Sequence, residues 1–107
     1  MSRLKQLLAF LEEDPTDSFI QFALAAEYRK LGQMSEAIST FEQLRATDPS
    51  YVGLYYHLGK MMEEAGRIED ALGVYRAGIE VANQVSDLHA RSELQSALLE
   101  AEMSEDL

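Results

Sequence analysis

The sequence predicts an all-α fold of antiparallel helical hairpins stacked one after another, and three observations point to it. Asp14-Pro15 recurs thirty-four residues later as Asp48-Pro49. In the same phase Leu24 returns as Leu58, Gly32 as Gly66 and Ala37 as Ala71, with conservative matches at Ile20/Leu54, Phe22/Tyr56, Ile38/Leu72 and Phe41/Tyr75. The segments between these points carry apolar residues at the three-to-four spacing of a helix face. A fixed period of this length means helix pairs that bury their apolar faces by stacking. Such a chain offers a surface for binding rather than an enclosed reaction site.

Each element follows from its own residues. Leu4, Leu7, Leu8 and Leu11 define one face of a first helix over about residues 2–13. Pro15 ends it, because proline lacks an amide proton and disfavours helical geometry in the residue before it. A second helix starts at Asp17 or Ser18 and places Ile20, Leu24, Tyr28 and Leu31 inward, until Gly32 stops it as a residue that tolerates positive φ. The third, residues 34–47, carries Ala37, Ile38, Phe41 and Leu44 on one stripe and closes at Asp48-Pro49. Leu54, Tyr55, Leu58 and Met62 line the fourth, which Gly66 ends; Ile68, Ala71, Leu72, Tyr75 and Ile79 line the fifth. Asn83 stands where a third proline would fall, so a softer joint is expected there. Ser86 is the expected N-cap of a last helix, with Leu88, Leu94, Ala97, Leu98, Ala101 and Met103 partly buried. That makes six helices: two full hairpins and one flanking helix at each end.

Composition narrows the function. A chain of 107 residues, 47% hydrophobic and 26% charged, suits one soluble domain. Its net charge of −10, from 19 acidic against 9 basic residues, argues against nucleic acid and anionic membranes as partners. The acidity also suits a salt-rich cytoplasm. Beyond Arg91 no Lys or Arg occurs while Glu93, Glu100, Glu102, Glu105 and Asp106 follow, an acidic end that aids solubility or tethers a basic partner. The absence of cysteine removes disulfides, thiolate metal sites and a cysteine nucleophile, and fits a reducing compartment. No apolar run approaches the ~20 residues of a membrane span, and no signal peptide is visible, so a cytoplasmic location is expected.

The repeated residues resemble the tetratricopeptide repeat family, whose pattern is W-x2-L-G-x2-Y, then A-x3-F, then P. The first copy reads Gln21-x2-Leu24-Ala25-x2-Tyr28, Ala37-x3-Phe41, Pro49; the second reads Tyr55-x2-Leu58-Gly59-x2-Met62, Ala71-x3-Tyr75, with Asn83 in the proline place. Gln21, Met62 and Asn83 depart from it. The resemblance implies a short right-handed solenoid of one domain over residues 1–107: a flanking helix at 2–15, repeats at 18–51 and 52–85, and a capping helix at 86–104. Ala25, Gly59, Ala37 and Ala71 would be the small residues that let paired helices approach, and Gly78 sits at another such place. Gly73 has no such reason, beyond a close approach to another chain.

The resemblance further implies a groove, lined by the first helix of each pair, where a partner peptide or helix binds. Residue by residue, it falls on Phe19, Phe22, Ala23, Ala26, Arg29 and Lys30, then Tyr56, His57, Lys60 and Glu63, then Asp87 and Arg91. Aromatic anchors among charges compose a recognition surface, and Phe22→Ala and Tyr56→Ala are expected to weaken capture with little change in melting temperature. One subclass binds acidic chaperone C-termini through Lys, Asn, Asn, Lys and Arg; here Phe22, Ala26, His57, Asp87 and Arg91 stand there, so only one agrees. An apolar or mixed-charge segment fits better. The alternative is a structural solenoid that self-associates as a homodimer. No cofactor or metal is expected: His57 and His89 lack a third ligand, Glu12-Glu13-Asp14 and Glu63-Glu64 lie on open polar faces, and neither a phosphate-binding glycine loop nor a serine-nucleophile elbow occurs. An enzyme is therefore not expected.

Overall fold

A computed structural model describes residues 2–105, with side chains through Ser104. Every element among them is a helix: α1 Arg3–Glu13, α2 Ser18–Lys30, α3 Met34–Thr47, α4 Gly53–Glu64, α5 Ile68–Gln84 and α6 Leu88–Glu105. Of the acidic end, Asp106 and the side chain of Glu105 lie outside the described residues. The fold is all-α, as expected, and divides into two compact units, Met1–Tyr51 and Val52–Leu107.

In the first unit α2 packs against both α1 and α3. Leu4, Leu7 and Leu11 of α1 meet Ala23, Leu24 and Tyr28 of α2, while Ala25, Ala37, Phe41 and Leu44 are buried. Leu8 is instead exposed, and so is Leu31, at 50%. Leu31 has left the helix: it is the C-cap of α2, where the chain turns away from the packed face. The start of α2 is capped by Asp17, whose Oδ1 accepts from the Ile20 amide at 3.0 Å.

Gln21, the departure from the family's Trp, is buried and has a polar reason to be there. Its Nε2 donates to the Pro15 carbonyl at 2.8 Å and its Oε1 accepts from the Thr47 hydroxyl at 3.2 Å. One side chain thus ties the turn before α2 to the end of α3. Ser18 adds a second tie, its hydroxyl donating to Asp48 Oδ2 at 2.6 Å.

In the second unit α5 packs against α4 and α6, and α4 also touches α6. Tyr55, Leu58, Met61, Ala71, Tyr75, Leu94 and Ala101 form the centre of its core. Gly59 and Gly78 permit the close packing. A Cβ on Gly59 would overlap the Tyr75 ring, and one on Gly78 would stand 2.5 Å from Tyr55 Cβ and 3.0 Å from Leu94 Cδ1. Leu88 and Met103, expected to be partly buried, are 66% and 62% exposed. They lie on the side of α6 opposite Leu94 and Ala101, where no described helix covers them.

The α5–α6 joint corrects one expectation. Ser86 is not an N-cap; it is the left-handed residue that ends α5, at φ 59°. Its amide donates to the Asn83 carbonyl and the Asp87 amide to that of Ala82. Gly32 and Gly66, both at φ 77°, end α2 and α4 with the same pair of bonds. Asp87 is the cap of α6, its Oδ1 accepting from the Ala90 amide at 3.0 Å. In place of an Asn83 break, α5 runs on to Gln84 and reaches 17 residues against 14 in α3. A side chain in the left-handed region is strained where glycine is not. Ser86→Gly is therefore expected to stabilise the protein by ~1 kcal/mol in a urea titration; a lower midpoint would refute this account of the turn.

Candidate functional site

The face of α2 that carries Phe19, Phe22, Ala23, Ala26 and Lys30 follows the i, i+3, i+4, i+7, i+11 spacing of one helix side. Together with Arg3 and Glu27 these residues line a cleft in the first unit. Phe19 is 69% exposed. Phe22 is half-buried, with ring centroids 5.8 Å from Phe41 and 5.5 Å from Tyr51. Its truncation would therefore open a packed ring cluster, which changes the expectation that Phe22→Ala leaves stability alone. Burial first, then the Asp48 and Asp17 carboxylates, push the Tyr51 hydroxyl above its ordinary value of 10.0 and keep that ring neutral. Arg3 Nε lies 3.4 Å from Glu27 Oε2, and Glu27 is buried while Arg3 is not. Arg29, half-buried, is not part of the cleft lining.

A second cleft lies within the second unit, between α4 and α6. Tyr56 and Lys60 of α4 face His89, Ser92, Glu93, Ser96, Ala97 and Glu100 of α6. Lys60 Nζ sits 5.6 Å from the Tyr56 ring centroid and 3.9 Å from Glu63 Oε2. These are modest attractions at a partly exposed site. Glu63 also accepts from the Tyr75 hydroxyl, so the core side of α4 fixes a carboxylate beside the cleft. His57 packs edge-on against Tyr56, 5.7 Å between centroids at 87°, and does not line the cleft. His89 Nε2 lies 3.8 Å from Glu93 Oε2. Among the described residues, no group of three or more His, Cys, Asp or Glu is placed to hold a metal. No described helix is long and apolar enough to cross a membrane.

Arg91 and Asp87 belong to the α5–α6 joint instead. Arg91 Nη1 donates to Asn83 Oδ1 at 3.1 Å, and its Nε is buried without a hydrogen-bond partner among the described residues. The cause is the longer α5. The caps Asp17 and Asp87 are seventy residues apart, two more than two periods. At that offset the α2 face of Phe19, Phe22, Ala23, Ala26 and Lys30 becomes His89, Ser92, Glu93, Ser96 and Glu100, which are the α6 residues that line the second cleft. Of these, Ser92, Glu93, Ser96 and Glu100 were missed by counting in units of thirty-four, while His89 was noticed only as a histidine without enough ligands for a metal. The signal that could have found them is the matching capping aspartate, with Asn83 in place of a chain-breaking proline.

The family pattern described as tetratricopeptide repeat matches residues 28–98. A tetratricopeptide repeat domain protein from Salinibacter ruber, solved in solution, is 49% identical and superimposes with a TM-score of 0.80, covering 83% of this chain and 90% of that one. A crystal structure of such a protein from the same organism, also 49% identical, gives 0.78 over 80% and 97%. The type III secretion translocator chaperone SycD of Yersinia enterocolitica shares the fold at 18% identity, with a TM-score of 0.88 over 97% of this chain and 72% of that one. Comparison with the curated proteins finds no match. With two thirds of its length inside the family's pattern and repeat turns built as that pattern requires, this chain belongs to the tetratricopeptide repeat family.

Proposed function

We propose that the chain is a non-catalytic protein-interaction module of the cytoplasm, a single domain whose full repeats are residues 18–51 and 52–85, and that it holds a peptide or helix of a partner protein. In the first unit the residues assigned to partner binding are Phe19, Phe22, Ala26 and Lys30 on α2, with Arg29 beside them; in the second, taken by itself, they are Tyr56 and Lys60 on α4, with His57 beside them. One observation carries the reading: Phe19 stands 69% exposed beside Phe22, along the α2 face that holds the small Ala23 and Ala26, and lines a cleft whose charged residues are Arg3, Glu27 and Lys30. Large aromatic side chains at an open site are the usual anchors of protein interfaces. Proteins of the same fold support it by analogy. SycD was crystallised with a peptide of the translocator YopD and PcrH with the chaperone binding region of PopD, and the TPR2B domain of yeast Sti1 was solved as a pHsp70 complex.

Affinity capture from the source lysate tests this reading, with Phe19→Ala as the control bait. Phe19 touches little of the core, so its truncation is expected to leave the melting temperature within about 2 °C while the captured partner is lost. Equal capture by both baits would count against the α2 face as the contact. A second reading, self-association, is favoured by the exposed Leu88, Leu99 and Met103 of α6. Light scattering over a concentration series separates the two, since a stable dimer dissolved by Leu99→Glu would support the latter.

A further inference from the structure

We propose that two copies of this chain pair through α6, antiparallel, about a two-fold axis that passes between Gln95 and Ser96. The proposal rests on the self-association reading above and adds which face meets which, and in what register. Leu88, Ser92, Gln95, Leu99 and Met103 recur every three or four residues. At about 100° per residue they fall within about 80° of one helix side. Leu88, Leu99 and Met103 are 66%, 59% and 62% exposed, and Ser92 and Gln95 are exposed with them. No charged residue stands on this stripe, in a chain that bears −10. Net charge of that size keeps copies apart, so a lasting contact between them needs a neutral face. The two-fold pair is the commonest way to close one.

The ends of the stripe set the register. Leu88 and Met103 are fifteen residues apart, about 22 Å along the axis. An antiparallel pair centred between Gln95 and Ser96 sets Leu88 against Met103 of the second copy, and Leu99 against its Ser92. All three apolar side chains of each copy are then covered. The bordering charges agree with this direction. By the same helical spacing Arg91 and Glu102 lie along one edge of the stripe, His89 and Glu100 along the other. Antiparallel helices related by a two-fold meet like edge to like edge. Arg91 therefore comes level, to within about 3 Å along the axis, with Glu102 of the second copy, and His89 with its Glu100. A parallel pair joins unlike edges and sets Glu102 against Glu100, two like charges. Glu102 also stands 3.6 Å from Arg76 of its own chain, and a carboxylate has acceptor sites for both guanidinium groups.

The whole chain tests this directly, because it has no cysteine of its own. Gln95→Cys, beside the axis, should give a disulfide-linked dimer under mild oxidation on a non-reducing gel. Leu88→Cys should not, since the antiparallel pair holds its two copies about 22 Å apart, beyond disulfide reach. Mixed with Met103→Cys chains, it should link again. Light scattering over a concentration series should show a dimer whose dissociation constant rises about tenfold or more in Leu99→Glu. Glu102→Gln should raise it about threefold, the size expected of exposed ion pairs. Circular dichroism should show the same helix content throughout; if Leu99→Glu loses it, the cysteine pattern decides alone. Linking of Leu88→Cys to itself would mean a parallel pair, which overturns the arrangement and leaves self-association standing. A dimer that Gln95→Cys fails to link uses another face, and the proposal falls in the same way. A chain that stays monomeric up to about 1 mM, the weak end of specific association, overturns the proposal and the self-association reading together.

Discussion

Tyr75→Ala is expected to cost about 3–5 kcal/mol, the range for removing a fully buried aromatic side chain. The ring has no exposed surface, lies against Gly59, and sends its hydroxyl to Glu63. A urea titration followed by circular dichroism should show a lower midpoint with an unchanged slope. Tyr75→Phe separates the two contributions, since it keeps the ring and removes the donor; a loss of about 0.5–1.5 kcal/mol is expected for that bond. Glu63 would still have Lys60 and water.

The same residue predicts alkaline behaviour. Burial first, and then the bond to Glu63 and its charge, push the Tyr75 hydroxyl well above its ordinary value of 10.0. The folded chain therefore keeps a proton that the unfolded chain gives up. This contribution is whole below about pH 10 and is lost as the pH rises past it. Tyr75→Phe should show a shallower loss of stability above pH 10 than the parent. Identical slopes would mean that the hydroxyl is not held as described.

The second large effect is a reversal of sign between two glycines on one helix. Both Gly73 and Gly78 lie inside α5, where each costs ~1 kcal/mol relative to Ala. At Gly78 an added Cβ would stand 2.5 Å from Tyr55 Cβ, an atom fixed to its own backbone. Neither helix yields easily there, so Gly78→Ala is expected to lose about 1–3 kcal/mol despite the better propensity. At Gly73 the same Cβ would meet nothing within 4 Å, and Gly73→Ala should gain ~1 kcal/mol. Thermal melts of the two variants should bracket the parent. If Gly73→Ala were destabilising, some surface of another chain would have to cover it.

Much of the fold was legible because local chemistry and repeat phase agreed. Gly32 and Gly66 mark turns that only a glycine adopts freely, and Asp14-Pro15 and Asp48-Pro49 mark the joints, so the ends of α1 to α4 could be read to within a residue or two. The failures have physical causes. Ser86 occupies a glycine's place without being one, so nothing in its type announced a helix end. Leu31, Leu88 and Met103 have helical spacing, but spacing names a face and not what covers it. The lining of the two clefts was legible on α2 and α4, where the period holds, giving Phe19, Phe22, Ala26 and Lys30 in one and Tyr56 and Lys60 in the other. It was lost on α6, where two extra residues in α5 moved the lining from Asp87 and Arg91 to His89, Ser92, Glu93, Ser96 and Glu100. Gln21 stood in the sequence only as a departure from the family pattern; its partners, Pro15 and Thr47, are adjacent to it only after folding.

The open space at Gly73 has a practical side. The chain has no cysteine, and α5 contributes no residue to either cleft. Gly73→Cys would thus introduce a sole thiol on an outward helical surface, where a fluorophore or spin label could be attached without obstructing the places a visitor would occupy. The position that contributes least to packing is in this way the natural one from which to watch the molecule at work.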